Sequence, residues 1–128
     1  MKKRIGIDIG STTIKTVVID EKDKIIYKKY LRHRSSITNS LVDLLQGLED
    51  AFSGETMLVN FTGSAGMHLA TGINAQFTQE VISATEGLNH EAGTFDVCIE
   101  LGGEDAKIIF FDGSNIEQRM NGTCAGGT

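Results

Sequence analysis

The sequence has no proline, no tryptophan and only two cysteines, Cys98 and Cys124. It also has no apolar stretch near the roughly 20 residues that a membrane-spanning helix needs, and no apolar signal-peptide block follows its basic first residues. Two cysteines can form at most one bridge, so each is expected to be a buried thiol or a metal ligand in a reducing compartment. We therefore predict a cytoplasmic protein with no membrane partner.

Positive charge is also in deficit. The chain carries 12 Lys and Arg residues against 17 Asp and Glu residues, a formal net charge of −5. A face that binds nucleic acid or an anionic membrane usually needs a basic surplus, so neither partner is expected. With 128 residues, 40% of them hydrophobic, the chain is long enough for the core of a globular protein. Glycine, at 15 positions, has to supply the turns because proline is absent.

Hydrophobic periodicity predicts an α/β protein that opens with three antiparallel strands. Alternation predicts these strands over residues 5–9, 14–20 and 25–31. Apolar residues then recur every three or four positions, which predicts a helix from about residue 35 to 54. The remaining predicted elements are strand 57–61, short helix 67–70, strand 74–77, a helix capped by Thr78 and ended by Gly93, and strands 95–101, 107–112 and 116–120.

An internal repeat is the most informative feature of the sequence. The segment from residue 7 to 20 matches the segment from 99 to 112 at a constant offset of 92 positions, without a gap. Residues between the shared anchors are apolar in both copies, so the hairpin and its core-facing pattern are expected to repeat together. Two unrelated hairpins with a glycine turn can look similar by chance, which is the alternative.

The repeat changes the expected domain organisation. A first copy would occupy residues 1–93, and residues 94–128 would be the incomplete start of a second copy. We therefore predict one complete α/β subdomain followed by the opening strands of another, in a chain that is part of a longer protein.

The turn of the first hairpin has the composition of a phosphate-binding loop. Backbone N–H groups and hydroxyls can donate to phosphate oxygens, and a glycine lets the main chain approach closely. A carboxylate at the end of the first strand would be repelled by phosphate unless Mg²⁺ lies between them. The candidate residues are Asp8 for the metal, Gly10, Ser11, Thr12 and Thr13 for phosphate, and Lys15 as an added charge. The alternatives are a plain hairpin with a polar tip and an exposed strand lysine.

The second copy carries a similar turn with paired glycines. Gly102 and Gly103 would hold phosphate, and Glu104 or Asp105 would orient an attacking water, as polar residues do in phosphoryl-transfer sites. Taken alone, a Gly-Gly hairpin with acidic flanks is also typical of an ordinary turn. The paired context is what favours a polyphosphate held by both loops.

Other site signatures are weak or absent from the sequence. It contains no P-loop, no dinucleotide fingerprint and no defensible nucleophile, base and orienter triad. The three histidines, His33, His68 and His90, have no ligand-like spacing and are expected on the surface or at helix edges. Cys98 is expected to be a small core residue, whereas Cys124 lies in a glycine-rich turn where metal or oxidant could reach it.

The order and spacing of the motifs resemble one family. The motifs are residues 6–12, residues 62–63, Glu80 with small residues after it, residues 99–107, and the glycine-flanked cysteine of residues 120–128. Together they resemble the ATP-dependent activators of 2-hydroxyacyl-CoA dehydratases and the related ATPase subunits of benzoyl-CoA reductase. The first two motifs alone would fit the wider superfamily of actin, sugar kinases and chaperone ATPases.

The resemblance implies a duplicated ribonuclease H-like, actin-like ATPase fold, with ATP between the two copies and Mg²⁺ near Asp8. It further implies a homodimer whose subunits share one 4Fe-4S cluster, with Cys124 matching one ligand. Reduced ferredoxin or flavodoxin would supply an electron, which ATP hydrolysis would drive onto the dehydratase. This chain by itself is not expected to hold a cluster or turn over ATP well. The alternatives are a sugar or acyl kinase of the same superfamily and a non-catalytic nucleotide-binding module.

Overall fold

The computed structural model describes residues 2–102, 105–113 and 115–120. The chain forms two compact units, Met1–Thr78 and Gln79–Thr128. These units follow from packing, whereas the predicted division at residue 93 concerns the repeat and stays a prediction. Within the described part of the chain, none of the helices is both long and apolar enough to cross a membrane.

The first unit is a mixed sheet with two helices. Its elements are β1 (Arg4–Ile9), β2 (Thr13–Ile19), β3 (Ile25–Arg32), α1 (Ile37–Ala51), β4 (Leu58–Thr62), α2 (Gly66–Gly72) and β5 (Gln76–Phe77). The strand order is β3-β2-β1-β4-β5. β2 is antiparallel to β1 and β3, whereas β4 is parallel to β1 and β5 is parallel to β4. Every element predicted for this segment is present, with boundaries shifted by a few residues.

The core of the first unit lies between the sheet and α1. Alternate residues of β1 point to one face, so Ile5, Ile7 and Ile9 are all buried. The three- and four-residue spacing of α1 places Leu44 and Leu48 in the same apolar cluster. The apolar residues that recur every second position in the strand therefore pack against those that recur every three or four positions in the helix, on one face of the sheet.

The second unit combines one helix with a three-stranded antiparallel sheet. Its elements are α3 (Glu80–Ala92), β6 (Val97–Leu101), β7 (Ala106–Asp112) and β8 (Asn115–Met120), in the order β6-β7-β8. Gly93 ends α3 with a φ of 84°, as the sequence predicts. The cap prediction is wrong, because Gln79 precedes the helix and the Thr78 hydroxyl instead bonds the side-chain amide of Asn60.

The two hairpins repeat in register at the predicted offset. Asp8 pairs with Lys15 across β1 and β2, and Glu100 pairs with Lys107 across β6 and β7. The same N–H···O bond closes both turns at 2.9 Å, from Gly10 to Thr13 and from Gly102 to Asp105. Each pair maps onto the other by adding 92 to both numbers.

The core-facing pattern does not repeat, which corrects the sequence expectation. Val18 is fully buried while its counterpart Phe110 is 37% exposed, and Val17 is 36% exposed while its counterpart Ile109 is fully buried. The physical reason is which face a helix covers. α1 packs on the face that carries Val18, whereas in the second unit α3 meets the opposite face, where Glu80 bonds Lys107.

Candidate functional site

The first turn sits at the end of β1, beside an acidic side chain. The Asp8 carboxylate is about one-third exposed, and its Oδ2 atom lies 3.3 Å from Nζ of Lys15. Residue 10 begins the turn that leads into β2, and the bond from Gly10 N–H to Thr13 O closes it. Asp8 and the predicted loop residues are therefore neighbours in one hairpin.

The residues of the 10–13 loop differ in their exposure to solvent. Ser11 and Thr12 are exposed, whereas Thr13 is 8% exposed and already belongs to β2. A Cβ atom at position 10 would meet nothing nearer than Thr13 O at 3.6 Å, which is an ordinary van der Waals contact. The backbone of this chain therefore does not itself demand glycine at position 10.

The segment that follows β4, residues 63–65, packs against the end of β1. Gly63 has a φ of 97°, and a Cβ atom there would lie 2.6 Å from Oδ1 of Asp8. The segment is tied down by the N–H of Ala65, which donates to Ile9 O at 3.1 Å. Only glycine allows this close passage. The Thr62-Gly63 pair belongs to one of the sequence motifs, but its close approach to Asp8 could not be predicted from the sequence.

Beside Asp8 lies an unsatisfied hydroxyl. Thr62 is the partner of Asp8 in the parallel pairing of β1 with β4, so both side chains lie on the same face of the sheet. The Thr62 Oγ1 atom is buried and has no hydrogen-bond partner among the described residues. A buried polar atom of this kind normally has a partner, so the Thr62 hydroxyl is a candidate to bond a polar group held beside Asp8.

His33 packs against the 10–13 loop and is buried. The prediction that it lies on the surface or at a helix edge is therefore wrong. Only 4% of the residue is exposed. The ring Nε2 atom lies 3.0 Å from Gly10 O, and the His33 backbone N–H donates to Thr12 O at 3.1 Å. A buried carbonyl oxygen needs a hydrogen-bond donor, and the imidazole N–H supplies one to Gly10 O, which an apolar side chain could not do. His68 and His90 are exposed, as predicted.

The second hairpin is described only in part. Gly102 and Asp105 lie in its turn, and a Cβ atom at position 102 would lie 3.0 Å from Oδ1 of Asp105. Gly103 and Glu104, which the sequence assigns to phosphate and water, lie outside the described residues. The structure therefore describes the two residues at either end of this turn and not the two predicted site residues between them.

A buried ion pair lies directly behind this hairpin. The Lys107 side chain is 7% exposed and donates to Glu80 of α3, whose side chain is 32% exposed. Burial disfavours the ammonium, but the hydrogen bond to Glu80 and the negative charges of Glu100, Glu80 and Asp105 outweigh it, so the pKa of Lys107 is raised. The Oε2 atom of Glu100 is buried without a partner among the described residues. In contrast to Lys15, Lys107 bonds the helix.

No group of three or more His, Cys, Asp or Glu side chains forms a metal site within residues 2–102, 105–113 and 115–120. Cys98 is a half-buried thiol of β6. Cys124, the predicted iron ligand, lies outside the described residues.

Two curated proteins match nearly the whole chain, although no family model matches it. An uncharacterized protein of Methanocaldococcus jannaschii is 27% identical over 126 residues, which are 97% of this chain and 50% of that protein. The (R)-2-hydroxyglutaryl-CoA dehydratase activating ATPase of Acidaminococcus fermentans is 25% identical over 126 residues, 97% of this chain and 48% of that protein. The chain thus spans about half the length of these relatives.

Solved structures show the same fold. The Acidaminococcus fermentans (R)-2-hydroxyglutaryl-CoA dehydratase component A has a TM-score of 0.80 at 22% identity, over 98% of this chain and 49% of that one. The Clostridium difficile activator of 2-hydroxyisocaproyl-CoA dehydratase, with bound ADPNP, has a TM-score of 0.73 at 22% identity, over 91% and 45%. A Streptomyces griseus ROK family glucokinase has a TM-score of 0.60 at 18% identity, over 96% and 48%. The predicted fold class is confirmed, and with it the predicted resemblance: this chain is similar in sequence and fold to the ATPase activators of 2-hydroxyacyl-CoA dehydratases.

Proposed function

We propose that this chain supplies the two phosphate-binding hairpins of an ATP-hydrolysing activator of a 2-hydroxyacyl-CoA dehydratase. The observation that carries the proposal is the repeated turn. Two hairpins 92 residues apart share their register and the same closing N–H···O bond, in a chain similar to a dehydratase-activating ATPase. A duplicated loop of this kind suits a ligand with several phosphates.

The composition of the 10–13 loop supports binding of phosphate. Gly10 is not required by the packing of its own chain, since a methyl group there would fit. A glycine that the fold does not need leaves room for something outside the fold, and a phosphate oxygen is of the right size. Ser11 and Thr12 expose hydroxyls and backbone beside it, while Thr13 contributes mainly by closing the turn.

Asp8 is the proposed residue for Mg²⁺. Mg²⁺ is commonly held by one or two carboxylates together with phosphate oxygens and waters, and Asp8 with the neighbouring Thr62 hydroxyl suits such a shell. When bound, the ion would neutralise phosphate charge. Lys15, at 3.3 Å from the carboxylate, is free to turn its ammonium towards a phosphate once Asp8 has another partner.

Gly102 and Gly103 are proposed to hold the same polyphosphate, with Glu104 or Asp105 orienting the water. In hydrolysis, that water would attack the γ-phosphorus as the bond to ADP breaks, and the positioned carboxylate would accept its proton. Asp105 is half-buried and anchored by the turn, since its backbone carbonyl accepts the Gly102 N–H. A carboxylate carried on a backbone that is held in this way suits a positioning role.

The electron-transfer part of the proposal follows from the resemblance. A 4Fe-4S cluster, for which Cys124 would be one ligand in a homodimer, would supply a low-potential electron when bound. Reduced ferredoxin or flavodoxin would be its source and the dehydratase its acceptor, in the cytoplasm. A single thiolate per chain cannot hold such a cluster, so further ligands must come from elsewhere.

Nucleotide binding is the first test. Adding Mg²⁺ and ADPNP to the ¹⁵N-labelled protein should shift the amide signals of the 10–13 loop, a readout that also detects weak binding. Asp8→Asn should weaken binding at least tenfold and remove its dependence on Mg²⁺. Asp43→Asn, an exposed aspartate of α1, is the matched control and should change nothing. Unchanged loop signals in the unaltered protein would contradict the proposal.

A kinase acting on a sugar or acyl substrate is the second candidate, favoured by the similarity to a glucokinase fold. Because this chain by itself is not expected to hold a cluster, purification of the longer protein that contains it, without oxygen, separates the two. A brown protein that contains iron supports the activator, whereas a colourless protein that phosphorylates a small molecule supports the kinase. Binding without hydrolysis in that longer protein would indicate a non-catalytic nucleotide-binding module.

A further inference from the structure

His33 contacts the 10–13 loop through both its backbone and its ring. Its backbone N–H donates to Thr12 O at 3.1 Å, and its ring Nε2 atom lies 3.0 Å from Gly10 O. On the other side of the ring, the backbone N–H of Ser35 donates to Nδ1 at 3.2 Å. Every polar atom of the imidazole therefore has a partner, in a residue that is 4% exposed.

These contacts define which nitrogen of the His33 ring carries the proton. A carbonyl oxygen can only accept, so the contact with Gly10 requires a proton on Nε2. A backbone N–H can only donate, so the contact with Ser35 requires a lone pair on Nδ1. The neutral ring protonated on Nε2 satisfies both contacts, and no other form does.

The turn that follows His33, residues 34–36, has an unusual backbone conformation and a short hydrogen bond back to His33. Arg34 and Ser35 both adopt left-handed backbone angles, with φ of 47° and 63°, which residues other than glycine rarely do. The Ser36 N–H then donates to His33 O at 2.7 Å. Strained backbone of this kind is common at functional sites, where the surrounding structure maintains it.

Holding a carbonyl also orients the next N–H. The peptide unit is planar and trans, so the Gly10 C=O and the Ser11 N–H point in opposite directions. With the Gly10 carbonyl directed at the buried ring, the Ser11 N–H is directed away from it. The bond at Thr12 fixes a second peptide plane of the same loop.

The second hairpin indicates that His33 is not needed to close the turn. In the third strand of each copy the offset is 90, since Lys15 pairs with Tyr30 and Lys107 pairs with Met120. His33 therefore corresponds to Thr123 in the sequence, which has no imidazole ring. Yet the closing bond of the second turn is as short, 2.9 Å from Gly102 N–H to Asp105 O. A role in orienting the first loop is therefore the better explanation for His33.

We infer that His33 is a positioning residue that aims the Ser11 N–H at a phosphate group of a nucleoside triphosphate. The inference rests on the proposed phosphate-binding role of the 10–13 loop. It assigns to His33 the orientation of a donor and no contact with the ligand.

Two substitutions separate orientation from turn formation. Glutamine places an amide N–H near the position of Nε2, so His33→Gln keeps the donor to Gly10 O and loses the acceptor for Ser35. Asparagine places an oxygen near the position of Nδ1, so His33→Asn keeps the acceptor for Ser35 and loses the donor to Gly10. Each variant loses one hydrogen bond of the ring and keeps the other.

The first measurement needs no nucleotide. Backbone ¹⁵N relaxation should give Ser11 and Thr12 order parameters near about 0.85 in the unaltered protein and in His33→Gln, and values below about 0.6 in His33→Asn. Equal order in all three proteins would overturn the inference. Equal loss of order in both variants would overturn it too, because His33 would then be a turn residue only.

The second measurement is titration with Mg²⁺ and ADPNP. His33→Asn should weaken binding about tenfold, and His33→Gln less than threefold. If the unaltered protein binds and both variants bind equally well, the inference is wrong while the proposed function stands. If the unaltered protein does not bind, the proposed function fails and the aim at a phosphate fails with it, while the order parameters still show whether the His33 ring orders the loop.

Discussion

Gly63 passes so close to Asp8 that a Cβ atom at position 63 would lie 2.6 Å from the Oδ1 atom of the carboxylate. The contact joins the proposed metal ligand at the end of β1 to the segment that follows β4. The position of the Asp8 carboxylate therefore depends on a residue more than 50 positions away in sequence.

Gly63→Ala should disturb both the fold and the site. The added methyl would meet the Ile9 carbonyl and the Asp8 carboxylate, at a left-handed φ of 97° that alanine avoids. We expect a loss of about 2–4 kcal/mol in the free energy of unfolding, measured with urea. Gly72→Ala is the control, since a Cβ atom there meets nothing within 4 Å, and it should be neutral. Similar stability of the two variants would contradict this account of Gly63.

The packing of α1 on the sheet gives a second prediction. Leu44 is fully buried in the core cluster, whereas the adjacent Leu45 is 45% exposed. Leu44→Ala should lower the free energy of unfolding by about 2–5 kcal/mol because it leaves a cavity. Leu45→Ala makes the same chemical change on the outer face and should cost less than about 1 kcal/mol. Equal losses in urea unfolding would mean that α1 packs by a different face.

The ion pair of Lys107 and Glu80 predicts a pH dependence. Burial opposes the charge of Lys107, but the hydrogen bond to Glu80 and nearby carboxylates raise its pKa above the ordinary value of about 10.4. A raised pKa means that the folded state binds the proton more tightly than the unfolded state. The stabilisation is therefore complete below the ordinary lysine pKa and is lost as pH rises through the higher folded value.

Thermal unfolding from pH 8 to pH 11 measures this effect. The unaltered protein should lose stability above about pH 10.4. Glu80→Gln should cost about 1–3 kcal/mol at pH 8, because the buried ammonium keeps only a neutral amide acceptor and loses the carboxylate charge, and should show a shallower fall at high pH. Glu86→Gln, at an exposed position of the same helix, is the control. A fall of the same steepness in Glu80→Gln would exclude this ion pair as the cause.

The fold could be predicted from the sequence because its signals are local. Ile5, Ile7 and Ile9 alternate with Gly6 and Asp8, and this alone predicts a half-buried strand. The spacing of apolar residues in α1 likewise requires no knowledge of the rest of the chain. The register of the repeat followed from a gap-free offset, which fixes residue pairing once one hairpin turn is placed.

The site could be predicted only where the residue type itself carries the chemistry. Asp8 and the 10–13 loop could be named as candidates because a carboxylate beside glycine and hydroxyls suggests phosphate and metal, and their role stays a prediction. His33 was missed because its importance depends on a turn at Arg34 and Ser35 that no sequence rule predicts. The buried face of the second hairpin was missed because it depends on which side α3 covers, and that is decided by packing rather than by the strand's own pattern.

The relationship between Lys15 and Asp8 gives the last prediction. Their side chains are 48% and 35% exposed with 3.3 Å between Nζ and Oδ2, so Lys15→Gln should change the free energy of unfolding by less than about 1 kcal/mol. If the ammonium turns to phosphate when Mg²⁺ occupies Asp8, the same change should weaken binding of Mg²⁺ and ADPNP about fivefold, roughly 1 kcal/mol. Lys28→Gln alters net charge equally at an exposed position of β3 and is the control. Calorimetry at two salt concentrations compares them, since attraction between charges weakens as ionic strength rises. An equal effect of the two substitutions would make Lys15 an exposed strand residue with no part in the site, which is the alternative that the sequence left open.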